Sequence, residues 1–224
     1  MKLFNIAITA LLLVANECVW AHPMMGEITW NRQVSRIVYT HCVSCHREDG
    51  TSFSLMEYAQ ARGAAETIKR AVLSRSMPPW GAVKGFGTLR DEQGLSEAQV
   101  EMIVEWVDTG TGRGNNPRAL PQQPPPAAPI APFVAPSDSI AVTADFTLER
   151  AARIAGVFPT KISPEASAKI VAVLPSGEIV PLVWLYEYRE EFAHPFWLEH
   201  PLKLPAGTVI RGVPDNASVL LIRR

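Results

Sequence analysis

The sequence predicts a multidomain α plus β chain: a small all-α domain, a proline-rich linker and a C-terminal all-β, sandwich-like domain. Three observations predict it. Apolar residues recur at spacings of three and four as far as about residue 108. Residues 117–136 are dominated by proline and alanine, including Pro124, Pro125 and Pro126 in a row. Beyond them the hydrophobic period falls to two. The expected divisions are 22–116, 117–138 and 139–224, after a leader at 1–21, and 224 residues with 47% hydrophobic content are enough for one core or two small ones.

The leader carries Lys2 in a short basic start, an apolar run at 6–15 and a small-x-small ending at Val19, Trp20 and Ala21, which reads as a cleaved export signal with no remaining transmembrane anchor. The expected location is therefore periplasmic or secreted. Cleavage after Ala21 removes Cys18 and leaves Cys42 and Cys45 as the only thiols.

The first helix is expected from Asn31 as its cap, with Val34, Ile37, Val38 and Cys42 on one face. It delivers Cys42, Val43, Ser44, Cys45 and His46. Two thiols three positions apart with a histidine directly after them are what covalent haem attachment requires: each sulfur forms a thioether with a vinyl group, and His46 becomes the proximal iron ligand. A redox disulfide and a zinc site are the alternatives. The first is expected in a βαβ setting, and the second needs a second ligand pair that this chain lacks.

Residues 47–54 form a polar loop, and a helical pattern then runs over 55–73, weakened by Gly63 and so open to division into two short helices. Pro78 and Pro79 end it and stiffen an extended loop in which the Met77 thioether can face a metal, as the distal iron ligand. Sulfur opposite imidazole is the ligand set of an electron carrier. Trp80 reads either as core or as a haem-edge residue whose indole N–H meets a propionate. Arg47, Lys84 and Arg90 are candidate propionate partners or solvated charges. Met56 and Met102 read as core, and His41 as a helix-surface or capping residue. Ser96 and Gln99 make a capping box for a last helix with the stripe Val100, Ile103, Val104 and Val107, stopped by Gly110 and expected to cross the first.

Residues of about 28–112 resemble a single-haem c-type cytochrome domain of a bacterial family. The resemblance rests on Thr40 to Arg47 around the Cys-x-x-Cys-His run, on Arg75-Ser76-Met77-Pro78-Pro79-Trp80, and on Trp106 followed by Gly110. It implies one covalently bound haem c, with His46 proximal and Met77 distal.

In the β half, strands are expected at 140–148, 152–157, 169–174, 179–188, 208–212 and 218–222, with a turn at Pro175, Ser176 and Gly177. The pieces 171–177, 190–196 and 201–208 are similar to the closing strands of ascorbate-dependent type II copper monooxygenases. That chemistry needs a His-x-His pair and a thioether ligand, yet beyond Met102 there is no methionine or cysteine, and His194 and His200 are the only histidines. Those two could hold a metal with a carboxylate such as Glu199 but read better as turn and strand-edge positions, and the β half as a docking or binding domain.

A net charge of −1 and the lack of a basic stripe give no case for nucleic acid, and Gly110, Gly112 and Gly114 follow a helix where a phosphate loop would open one. The expectation is an exported mono-haem cytochrome that passes single electrons between redox proteins. Its alternative is a haem enzyme of peroxidase type, or an electron-feeding subunit of a monooxygenase-like oxidoreductase.

Overall fold

A computed structural model describes residues 26–126 and 133–224; the export signal expected at 1–21 lies outside the described residues, as does the middle of the proline-rich stretch. A π-helical turn, Trp30–Val34, runs into α1 (Ser35–His41). Then come α2 (Tyr58–Gly63), α3 (Ala65–Leu73) and α4 (Glu97–Asp108). The helical pattern over 55–73 is divided at Ala64, where the Gly63 position weakens the ladder. Among the described residues no helix is long and apolar enough to cross a membrane.

Among the described residues the eight strands are β1 (Ile140–Val142), β2 (Phe146–Thr147), β3 (Ala152–Lys161), β4 (Ala168–Val173), β5 (Ile179–Leu185), β6 (Phe196–Leu204), β7 (Val209–Arg211) and β8 (Ser218–Arg223). They form two four-stranded antiparallel sheets, ordered β1-β8-β3-β6 and β2-β7-β4-β5. Val142, Ile154, Val157, Phe196 and Leu221 from the first sheet and Ile170, Leu182, Leu185 and Ile210 from the second bury in one cluster, so the alternation of each strand feeds a shared interior. The run 140–148 is two strands in opposite sheets, because the chain crosses over at residues 143–145. Strand β6 escapes sequence reading because Pro195, His200 and Pro201 break its alternation. Pro201 sits where the β3–β6 register jumps between Trp197↔Gly156 and Leu202↔Ile154, a place where a missing N–H costs no ladder bond.

These facts overturn the expected multidomain division with a self-contained all-α domain. Among the described residues eight strands in two sheets stand against four short α-helices, and residues assigned to the α part belong to the β interior. Trp80 is buried in the cluster of the two sheets, stacked on His194 at 5.1 Å and edge-on to Phe196 at 5.3 Å. Residues 81–90 pair with an edge strand of each sheet. Val83 N–H donates to Trp184 O (2.8 Å) and Tyr186 N–H to Gly81 O (3.1 Å) along β5; Arg90 N–H donates to Trp197 O (2.8 Å) and Glu199 N–H to Thr88 O (2.9 Å) along β6. The physical reason is that both edges would otherwise leave backbone groups unpaired, and this strap satisfies them. Gly81 makes the crossing possible: its φ is +73°, and a Cβ there would come within 2.4 Å of the Phe192 ring.

The helices have their own cluster, built on Trp30, Val34, Ile37, Val38, Ile103, Trp106 and Val107. The stripe of α4 lies against α3 and the π-helical turn. Asn31 is not the cap. Thr29 holds that position, and Asn31 is buried with Nδ2 donating to the carbonyls of Gly114 (3.0 Å) and Asn116 (3.3 Å). The described ends of the proline-rich stretch are docked: Gln123 Nε2 donates to Met56 O (3.2 Å), and Phe133 packs between Phe158 and Trp197.

Candidate functional site

The Cys42 to His46 segment is the frayed end of α1 turned into a tight loop. Cys42 caps the helix, its N–H donating to Val38 O (2.9 Å), while Cys45 and His46 donate to Cys42 O at 3.2 and 3.0 Å. The loop then folds back, with Ser52 N–H on Cys45 O (3.3 Å) and Leu55 N–H on His46 O (3.0 Å). Gly50 permits this closure, since a Cβ there would sit 2.1 Å from the Cys45 carbonyl oxygen.

Both cysteines are free thiols; Cys42 is half-buried and Cys45 exposed. Burial, and then the neighbouring Cys45, push the Cys42 thiol up to about 12. A thiol so hard to ionise is itself a poor attacking group. His46 Nδ1 lies 3.0 Å from Phe53 O. A carbonyl can only accept, so Nδ1 carries the proton and the Nε2 lone pair is left for a metal. The Phe53 ring stands edge-on to the imidazole at 4.8 Å and is half exposed.

Met77 is positioned by the end of α3. Arg75 N–H donates to Val72 O (3.2 Å) and Ser76 N–H to Ala71 O (3.0 Å), the paired bonds of a Schellman motif with Arg75 at φ +53° in its left-handed position. Met77 N–H also donates to Ala71 O (3.3 Å), so the methionine leaves a closed turn, where the sequence suggested an extended loop. Its side chain is 43% exposed, on the rim of a cavity of about 610 Å³ shared with Val72, Leu73, Trp80, Leu95 and Val100. Trp80 Nε1 is buried without a hydrogen-bond partner, on the indole edge that faces Gly94 in the same cavity. The structure thus brings Met77 and Trp80 to one cavity. Cys42, Cys45 and His46 are not among its lining residues.

Of the candidate cations, Lys84 lines that cavity but is paired with Glu92 (2.9 Å), Arg90 pairs with Asp91, and Arg47 pairs with Asp49 (3.1 Å) and donates to Pro125 O (3.0 Å). His41 is not a surface residue. It is buried, with Nδ1 on Gln93 O (3.0 Å) and Nε2 accepting from Gln99 Nε2 (3.1 Å), and burial holds its pKa down. His194 is held among the carbonyls of Pro195, Trp80 and Pro79, its pKa lowered by burial. Among the described residues no three His, Cys, Asp or Glu side chains gather in a way that could hold a metal ion.

Sequence reasoning missed the residues of the β half that meet this region: Tyr186, Glu187, Arg189 and Phe192 line the cavity beside Met77. Nothing in their spacing signals it, because only the strap brings them there. No family model, curated protein or solved structure matches the chain.

Proposed function

We propose that the protein is an exported mono-haem c-type cytochrome that carries single electrons between redox partners. The observation that carries this reading is the imidazole of His46: its Nδ1–H is committed to the Phe53 carbonyl and its Nε2 is open, one residue after a pair of unpaired thiols. Cys42, Cys45 and His46 fit covalent haem c: the two cysteines would be the thioether positions, and His46 and Met77 would supply the iron ligands. When bound, that group supplies a one-electron Fe(III)/Fe(II) couple. The protein's part is to fix the imidazole tautomer and ring plane, to offer a soft sulfur ligand from a closed turn, and to keep apolar surface against the ring. The unsatisfied Trp80 Nε1 suits a carboxylate acceptor such as a propionate.

Mass spectrometry and visible spectroscopy on protein matured in a cell able to attach haem test the reading. One haem per chain, lost in the Cys42→Ala, Cys45→Ala double variant, is the expected result. A colourless mature chain of unmodified mass would refute it.

A second reading, a haem enzyme with a displaceable distal ligand, is favoured by the 43% exposure of Met77. Rapid binding of carbon monoxide by the reduced native protein, or of peroxide by the oxidised one, would select it over the carrier.

A further inference from the structure

The chain on either side of Met77 is fastened to the β half. Before it, Arg189 Nη2 donates to Ser74 O (3.2 Å), the carbonyl of the residue that caps α3, and the Arg75 guanidinium lies over the Tyr186 ring at 5.5 Å. After it, Tyr186 N–H donates to Gly81 O, and Gly81 lies against Phe192. Four anchors from one stretch, 186–192, thus bracket the methionine at Ser74, Arg75 and Gly81. The turn between them is an unfavourable one to hold alone, since Arg75 adopts a left-handed conformation that side chains other than glycine avoid.

We infer that the β half is part of the redox site and that Arg189 and Tyr186 are positioning residues for Met77, keeping its thioether available as an iron ligand. The inference rests on the haem reading above, though its mechanical part does not. Guanidinium on a carbonyl is a charge-assisted bond that fixes the cap of α3, and the ring of Tyr186 fixes the next residue. Releasing either lets the Arg75 turn relax toward ordinary φ, which swings Met77 away. The β half acts on ligation through Met77, and none of its own residues need touch the metal.

The test uses the full chain, with and without haem. In the haem-free protein, Arg189→Gln is expected to speed hydrogen exchange at the Ser76 and Met77 amides by about tenfold, the loss of one anchoring hydrogen bond, while the Val157 and Leu221 amides of the β interior exchange as before. In the haem-bound protein, Arg189→Gln and Tyr186→Leu are expected to weaken the far-red sulfur-to-iron band and to raise carbon monoxide binding to the reduced form by about tenfold, and Arg189→Lys, which keeps one donor, to restore both. A merely stabilising role would lower the unfolding midpoint and leave band and binding unchanged, and that result would overturn the inference. Unchanged exchange at Ser76 and Met77 would overturn it too, even if the chain proved to carry no haem, so the two readings fail separately.

Discussion

At the residue scale the site rests on where single protons and lone pairs are fixed. With the proposed haem bound, Met77→Ala is expected to abolish the far-red band and open the iron to carbon monoxide, which optical titration checks; an unchanged spectrum would refute Met77 as a ligand. Two other histidines govern pH behaviour. His41 and His194 are buried with pKa values held below the ordinary imidazole value of about 6.5, so as pH falls the unfolded chain takes up their protons first. Their contribution to stability is complete above about pH 6.5 and is lost as pH falls below it. Urea unfolding midpoints should therefore be flat from pH 8 to 7 and drop between pH 6.5 and 5. Gln99→Glu removes the N–H that feeds His41 Nε2 and puts a carboxylate there, so the His41 pKa should rise, as an NMR titration of its ring protons would report. The partners of His41, Gln93 and Gln99, lie more than fifty residues away, which is why its burial was illegible in sequence and the short-range bond of His46 to Phe53 nearly within reach of it.

At the element scale, local signals were legible wherever their partners were local. The capping box of α4 is formed as the spacing required, with Ser96 N–H donating to Gln99 Oε1 (2.8 Å) and Gln99 N–H to Ser96 Oγ (3.3 Å). Ser96→Ala should cost about 1 kcal/mol in denaturant unfolding. The strap at 81–90 gave no such signal, because it is neither helix nor regular strand and its pattern makes sense only against β5 and β6. Gly81→Ala places a Cβ against Phe192 at a left-handed φ and should destabilise the protein by about 3 kcal/mol, from strain plus overpacking. An unchanged unfolding midpoint for that variant would mean the strap does not cross there as described.

At the scale of the whole molecule the two clusters are joined through Trp80 and the strap, so the halves are expected to unfold together. Tryptophan fluorescence and far-ultraviolet circular dichroism should give coincident denaturant transitions, and a chain truncated at residue 138, which strips the cover from Trp80, Ala82 and Leu89, should unfold at lower denaturant with an exposed apolar surface. Two separate transitions would restore the picture of independent domains. By itself the sequence determined the Cys-x-x-Cys-His run, the cap of α4 and the change of hydrophobic period, since each depends on residues within a few positions of one another. Only the tertiary structure decided that a stretch written between two helices completes the edges of two sheets, and that residues 186–192 flank Met77. Hydrogen bonds and apolar contacts between segments a hundred residues apart leave no periodic trace in either one, so their pairing exists only once the chain has closed on itself.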